Sequence, residues 1–245
     1  MSRGLAHTLR LVRASHHFNN LYICSYTPTL SALIQSHHYD TGSRLLNPPS
    51  ILLVAQVDPS LPNVGGEIQV LRALDKATEV SSLVSEAATP ATVIDNLHRH
   101  RFVHFACHGT LEAGKPFEAG FELYGGARLT LLDIVRAHLP AAEFAFLSAC
   151  HTAEVTEGSI MDEGLHLVAA IKYCGFRSVV GTMWAMADID GRDLAKYFYK
   201  ALFSGSRGTP YHERSAKALR FAVKKLRRKR GITLERWVNF VHCGA

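Results

Sequence analysis

Two short apolar runs of this chain lead directly into residues that can do chemistry. Residues 102–107 run into His108 and Gly109, and residues 144–149 run into Cys150. Runs of this length and composition are typical of buried parallel strands. The carboxyl ends of neighbouring strands in an open α/β sheet share one crevice, so we predict that His108 and Cys150 face each other across it. A cysteine nucleophile needs this arrangement, because an imidazole beside the thiol can take its proton.

In this interpretation Cys150 is the nucleophile and His108 is the general acid and base, which protonates the departing nitrogen and then activates water. For each residue taken alone, an inert buried thiol or a hydrogen-bonded core histidine is the alternative. Cys107 and His104 are expected to be structural, since side chains alternate along a strand and Cys107 then points away from His108. His151 either contacts the leaving group or is a loop histidine at the rim.

Strand and helix signals alternate around these runs. Thr89 before Pro90, and Thr130 three residues before Asp133, are helix-start signals. A glycine-rich loop, with a small hairpin near residues 121–124, lies between these two helix starts. Strands are predicted at 51–57, 102–107, 144–149, 178–184 and 237–242, and helices at 65–76, 90–98, 131–138, 160–173, 188–203 and 213–229. The pattern predicts an α/β fold, with a mainly parallel sheet flanked by helices on both faces.

Length and composition predict one folded domain. The chain has 245 residues, of which 47% are apolar and 20% charged. We interpret residues 1–20 as an irregular or helical lead-in, although their arginines and lack of acids would also suit a transit peptide, and 21–245 as the domain. Five cysteines without a paired spacing favour free thiols in a reducing compartment. With neither a membrane-length apolar run nor a secretory signal, we expect a soluble, cytoplasmic protein without membrane contact.

The net charge of +6 comes largely from residues 224–230. Leu219, Val223 and Leu226 recur there at helical spacing, which favours the solvated face of a packed helix. Since no aromatic residue interleaves with this run of charges, a nucleic-acid partner is not expected.

A metal site is the remaining chemical alternative. Zinc accepts cysteine and histidine ligands, and Cys107, His108, Cys150 and His151 lie close to the two predicted strand ends. Adjacent residues on a strand point to opposite faces, so four such ligands do not readily converge. No phosphate-binding loop motif occurs either. We therefore expect neither a metal nor a cofactor.

Three stretches carry a resemblance to a known family. They are residues 103–109 (VHFACHG), residues 146–153 (FLSACHTA) and residues 164–184, which end in RSVVGTMW. In this order they resemble the CHAT domain, a caspase-like and separase-like group of cysteine peptidases, and the similarity extends from about residue 25 to residue 241. The resemblance implies a caspase-like fold, a cysteine endopeptidase acting through His108 and Cys150, and an oxyanion hole built from backbone N–H groups near Gly109 and Cys150.

The resemblance also implies how a substrate and partners would bind. Relatives hold the residue before the cut in a slot formed partly by the segment after the 177–184 strand, and those specific for basic residues place an acid there. Asp188, with Asp162 and Glu163, supplies the available carboxylates, although Asp188 could simply cap its helix. We expect a regulated, protein-cleaving effector gated by a partner or a repeat-containing domain. A catalytically silent interaction module in a signalling or defence assembly is the alternative.

Overall fold

The computed structural model describes residues 22–37, 49–74, 78–110, 115, 117–148, 150–151, 163–184, 186–204 and 211–244. Among these residues the strands are β1 (Ile51–Ala55), β2 (Val80–Val84), β3 (Phe102–Ala106), β4 (His108–Thr110), β5 (Gly120–Glu122), β6 (Arg128–Thr130), β7 (Phe144–Leu147), β8 (Cys150–His151), β9 (Ser178–Thr182) and β10 (Phe240–Gly244). The α-helices are α1 (Leu30–His37), α2 (Val64–Arg72), α3 (Pro90–Leu97), α4 (Leu131–Arg136), α5 (Glu163–Tyr173), α6 (Asp188–Phe203), α7 (Tyr211–Arg227) and α8 (Leu234–Val238).

Six strands form the main sheet, in the order β10-β9-β7-β3-β1-β2. All neighbouring pairs are parallel except β10 with β9. The central strands are apolar and fully buried because helices cover both faces of the sheet. This arrangement confirms the predicted α/β fold class with a mainly parallel sheet.

Alternation along each strand divides the interior into two cores. In β1, Leu52 and Val54 face one core, whereas Ile51 and Leu53 face the other. The first core is closed by α3, α4 and α5, and the second by α2, α6, α7 and α8. Cys107 belongs to the first core, as the alternation predicted. None of the described helices has the length and apolar character needed to cross a membrane.

A second, four-stranded sheet begins just after β3 and β7 end, in the order β6-β5-β4-β8. The sequence predicted single strands running up to His108 and Cys150, and this detail is wrong. The main-sheet ladders end at Ala106 and Leu147, and His108 and Cys150 instead begin new strands of the second sheet. β4 takes an antiparallel partner, β5, from the predicted hairpin, which is present as β5 and β6.

Local capping explains several helix starts. Thr89 caps α3 and Thr130 caps α4, each by accepting the backbone N–H three residues on, as predicted. Helix α6 has the predicted bounds. The amino-terminal part of the predicted 160–173 helix lies outside the described residues, and α5 begins at Glu163.

Two other assignments differ from the prediction. Strand β2 was missed because Ser81 and Ser82 interrupt its apolar run, and it lies half-buried at the edge of the sheet. Trp237 was placed in the last strand but belongs to α8, where its ring packs into the core and beneath the Arg227 guanidinium at 5.0 Å. β10 begins only at Phe240.

Candidate active site

The segments that follow three central strands begin at one edge of the main sheet. β1, β3 and β7 are parallel neighbours, so their carboxyl ends lie side by side. Two backbone hydrogen bonds extend this frame beyond the ladders. The Gln56 N–H donates to the Ala106 carbonyl at 3.0 Å, and the Ser148 N–H donates to the Phe105 carbonyl at 2.8 Å. The loops beyond the strands therefore start from a common, hydrogen-bonded backbone frame.

His108 and Cys150 are direct register partners in the parallel ladder of β4 and β8. Neighbouring strands lie about 4.8 Å apart, so the two backbone positions are adjacent. His108 is only 7% exposed. The fold thus brings together the two residues that the sequence analysis paired, while their joint chemistry stays a prediction.

The loop after β1 holds the ring of His108 from one side. Nε2 of His108 lies 2.7 Å from the Ser60 hydroxyl oxygen and 3.6 Å from Oδ2 of Asp58. The Ser60 N–H donates to Oδ1 of Asp58 at 2.7 Å, and the Ser60 hydroxyl contacts the same oxygen. An ionised carboxylate can only accept, so the single hydroxyl proton of Ser60 goes to Asp58 and the Nε2–H of His108 donates to Ser60. This His108–Ser60–Asp58 relay orients the ring and fixes its tautomer.

The other ring nitrogen of His108 is in a different state. Nδ1 is buried and has no hydrogen-bond partner among the described residues. With Nε2 acting as the donor, Nδ1 carries the lone pair of the neutral ring. A buried nitrogen that lacks a partner costs roughly 1–3 kcal/mol. The site therefore keeps a proton acceptor at His108 that the described core does not satisfy.

The relay acts on the carboxyl group of Asp58 as well. Burial acts to raise the pKa of Asp58. It is outweighed by hydrogen bonds from the Ser60 hydroxyl and amide, by the charge of His108 and by the Leu61 amide, so the pKa falls below its ordinary value of 3.8. Asp58 is therefore ionised at neutral pH and can stabilise positive charge on the imidazole.

A second histidine, His104, lies on β3 and is fully partnered. Its Nε2 lies 2.9 Å from Oε2 of Glu67 and its Nδ1 lies 3.0 Å from the Tyr199 hydroxyl. The Ser148 hydroxyl donates to Oε1 of Glu67 at 2.9 Å. All four side chains are buried. His104 is thus a structural histidine, as predicted from the sequence.

Helix α6 approaches this cluster closely through a glycine. A Cβ atom added at Gly191 would lie 2.3 Å from Oε1 of Glu67 and 3.0 Å from the hydroxyl oxygen of Ser148. Real Cβ atoms do not approach other atoms so closely, so only glycine fits at position 191 with the cluster intact.

Asp188 links the loop after β1 to the start of α6. Its Oδ2 accepts the backbone N–H and the side-chain amide of Asn63, both at 2.7 Å. Asp188 is the first residue of α6, but the residue that precedes this helix, Ala187, makes no side-chain cap. The alternative that Asp188 only caps its own helix is therefore wrong, since its described bonds go to the residue preceding α2. Its role towards a substrate stays a prediction.

Of the remaining predicted site residues, the structure describes two and leaves one outside the described ranges. Gly109 lies in β4 between Phe121 of β5 and His151 of β8. Glu163 is the first residue of α5, and Asp162 lies outside the described residues. No group of three or more His, Cys, Asp or Glu side chains suited to a metal occurs in the part of the chain that the structure describes.

Two other cysteines provide a contrast with a reactive thiol. Burial, reinforced by the charges of Glu122 and Glu67, raises the pKa of Cys107 far above its ordinary value of 9.0. Burial also raises the pKa of Cys174 to about 12. Both thiols therefore remain protonated at neutral pH and are poor nucleophiles.

Sequence reasoning missed Asp58 and Ser60. Both follow the buried strand β1, which is a neighbour of β3, so the strand-end argument that selected His108 applies to them equally. The Asp-Pro-Ser sequence at 58–60 was a further signal, because an aspartate before proline commonly accepts the amide two residues on.

The fold, a mainly parallel sheet flanked by helices, is that of caspase-like cysteine peptidases. The chain belongs to the CHAT domain family, whose profile matches residues 11–245. No curated protein sequence matches the chain.

Three solved structures show the same fold at low sequence identity. The structure of gingipain R, an Arg-specific cysteine proteinase, matches with a TM-score of 0.56 at 12% identity, over 87% of this chain and 50% of that one. The complex of the RgpB pro- and mature domains from Porphyromonas gingivalis matches with a TM-score of 0.54 at 10% identity, over 87% and 51%. The separase–securin complex of Saccharomyces cerevisiae matches with a TM-score of 0.52 at 15% identity, over 90% and 14%. This chain thus spans about half of the gingipain chains and a small part of the separase structure.

Proposed function

We propose that this chain is a cysteine endopeptidase in which Cys150 is the nucleophile and His108 is the general acid and base. The observation that carries the proposal is the register pairing of His108 with Cys150, beside a relay that occupies only Nε2 of the ring. Positions directly opposite each other in a ladder share a face of the sheet, which is what a proton transfer between them requires. Membership of the CHAT domain family and the fold shared with gingipain R support the same chemistry.

The proposed reaction begins with transfer of the Cys150 thiol proton to Nδ1 of His108. The thiolate attacks the peptide carbonyl carbon, and the imidazolium returns its proton to the departing amine as the C–N bond breaks. His108 then takes a proton from water, whose oxygen attacks the thioester and releases the acid and the thiol. During both transfers the ionised Asp58 stabilises the positive ring through Ser60, so these two residues act as positioning residues.

Two further features of the reaction are extensions of the same proposal. Backbone N–H groups at Gly109 and Cys150 stabilise the oxyanion of the tetrahedral intermediate. Asp188, with Asp162 and Glu163, binds a cationic residue before the cut. The hydrogen bonds of Asp188 support its part in this. Asn63 donates to Oδ2, whereas Oδ1 of Asp188 accepts no hydrogen bond from the described residues and can bind a cation. The reaction as written needs neither a metal nor a cofactor.

We further propose that cleavage is regulated. The activator would be a partner or a repeat-containing domain. The substrate would be a protein or peptide segment that enters the cleft in extended form. If the chain is instead a silent interaction module, the same surface binds partners without covalent chemistry.

Labelling of the thiol tests the proposal without any knowledge of the activator. An acyloxymethyl ketone peptide with an arginine before the warhead should modify Cys150 selectively at neutral pH, as read by intact-mass and peptide mass spectrometry. Cys150→Ala should abolish the modification and His108→Ala should slow it about a hundredfold or more. Cys24→Ala is the matched control, because it removes a partly exposed thiol elsewhere, and it should leave the rate unchanged.

The outcome separates the two functions. If several cysteines of the folded protein are labelled slowly and at equal rates, the result favours the silent interaction module. A peptide library incubated with the labelling-competent protein and with Cys150→Ala would then show where the enzyme cuts.

A further inference from the structure

The charge of this protein is segregated into one stretch. Residues 211–238 hold ten of the 27 lysine and arginine residues but only two of the 21 acids, which gives a net charge of +8. Since the whole chain carries +6, the other residues together carry −2. This stretch comprises α7, α8 and the turn between them, so the positive charge has a defined place in the fold.

Helix α7 separates its charges from its apolar residues. One face is buried against α6 and the sheet by Ala218, Leu219, Ala222 and Leu226. The opposite face carries a basic stripe at spacings of three and four residues, which places its members in one row. The basic stripe consists of Lys217, Arg220, Phe221, Lys224, Lys225 and Arg228.

Some cations of this region serve the fold and others do not. Arg236 forms a two-pronged ion pair with the buried Asp190, and Lys229 pairs with Asp193, so both hold α6. In contrast, Lys217, Lys224 and Arg228 have no acidic partner among the described residues. The stripe therefore presents positive charge to solvent over a length of about 16 Å, at 1.5 Å per residue.

The stripe also contains an aromatic side chain. Phe221 is 39% exposed, and the Lys225 ammonium lies 5.5 Å from the centre of its ring. The sequence argued against nucleic acid because residues 224–230 contain no aromatic, but the helix places Phe221 in the same row as Lys217, Lys224 and Lys225. Cations with an interleaved exposed aromatic are what single-stranded nucleic acids bind, since phosphates pair with the charges and a base stacks on the ring.

We propose that the basic stripe of α7 binds single-stranded nucleic acid. An acidic polypeptide fits less well, because protein interfaces rely on an apolar core and Phe221 is the only apolar side chain in the row. Nucleic-acid interfaces are, by comparison, highly positive and polar. This inference goes beyond the proposed peptidase and does not depend on it, since the stripe contains neither His108 nor Cys150.

The test measures binding and its salt dependence. The 245-residue chain carrying Cys150→Ala is titrated into a fluorescein-labelled 20-mer of dT or rU at 50 to 200 mM salt, and anisotropy is recorded. Five neutralised phosphates predict a slope of log K against log salt of about −3.5. The triple variant K217Q/K224Q/R228Q should weaken binding at least tenfold and reduce the magnitude of the slope by about 2.

A matched variant controls for total charge. R99Q/K115Q/R136Q removes three exposed cations from elsewhere on the molecule and changes the net charge equally. It should bind like the parent. Phe221→Leu should weaken binding several-fold without changing the salt slope, whereas Phe221→Trp should retain binding, since only an aromatic ring stacks on a base. Circular dichroism and thermal unfolding verify that each variant is folded.

Three results would overturn the inference. Equal binding by the two triple variants would assign any affinity to overall charge rather than to the stripe. Tighter binding of a poly-Glu peptide than of the oligonucleotide, again lost in K217Q/K224Q/R228Q, would make the partner an acidic polypeptide. Equal binding of a duplex, unaffected by Phe221→Leu, would exclude base stacking.

Discussion

His104 and His108 lie four residues apart on successive strands, yet the fold treats their rings in opposite ways. Both nitrogens of His104 have partners, Glu67 and Tyr199, in a fully buried cluster. His108 has partners only at Nε2, through Ser60 and Asp58, and its buried Nδ1 has none among the described residues. A histidine with both nitrogens bonded supports the fold, whereas one with a single bonded nitrogen keeps an acceptor for chemistry.

Removing His104 should have the largest effect and should act on stability. His104→Leu leaves the buried carboxylate of Glu67 without its main partner, so the free energy of unfolding should fall by about 3 kcal/mol. Chemical denaturation measures this change. The double variant His104→Leu/Glu67→Met removes the stranded carboxylate and should recover much of the loss. If His104→Leu instead abolishes labelling of Cys150 and leaves the free energy of unfolding unchanged, the contrast between the two histidines is wrong.

A third histidine, His242, should show a smaller effect that depends on pH. Its Nε2 lies 2.6 Å from the Ser178 hydroxyl and its Nδ1 lies 2.8 Å from the Ser25 hydroxyl. Burial, with the charges of Lys172 and His212, lowers the pKa of His242 from 6.5 to about 3. As the pH falls below 6.5 the unfolded chain therefore binds the proton first, and stability decreases towards pH 3.

This pH effect can be isolated with one substitution. Between pH 7 and pH 4.5 the contribution of His242 to the free energy of unfolding should fall by about 2 to 3 kcal/mol. His242→Gln should lack this component, so its stability should decline less steeply with acid. An unchanged slope in His242→Gln would show that the folded and unfolded chains bind this proton equally, which contradicts the lowered pKa.

The smallest effect should come from the relay residues Asp58 and Ser60, which lie beside Nε2 of His108. Asp58→Asn keeps the shape but removes the charge that stabilises the imidazolium, so thiol labelling should slow about tenfold. Circular dichroism and thermal unfolding should match the parent, and a change in either would indicate a loss of structure instead. Ser60→Ala interrupts the relay without removing the charge and should slow labelling less.

The sequence was sufficient for the elements that apolar pattern and capping define. β1, β3 and β7 appear as buried apolar runs, and Thr130 with Asp133 fixes the start of α4. The break after Ala106 was not visible, since VHFACHG is continuous in pattern and the new strand is defined by the pairing of β4 with β5. Local pattern reports burial, whereas a change of sheet depends on a partner far along the chain.

In the candidate site, too, some residues could be predicted from local pattern, whereas their contacts with distant residues could not. His108 and Cys150 could be selected because each follows a buried strand and has reactive chemistry. The contact between Ser60 and His108 joins residues 48 positions apart, and that between Asn63 and Asp188 joins residues 125 apart. The first contact follows from the pairing of β1 with β3, and the second from the packing of α2 against α6. No local pattern encodes either distance.

The close packing of α6 against Glu67 depends on the absence of a side chain at Gly191. Because α6 rests against Glu67 at a point where a single methyl group would not fit, even alanine there must push the helix outward or displace the carboxylate. Asp188 lies within one helical turn of that point, so an outward shift would draw it away from Asn63 and pull on the loop that carries Ser60. Unless the Glu67 carboxylate moves instead, a methyl group at position 191 would thus reach His108 through Asp188, Asn63 and Ser60.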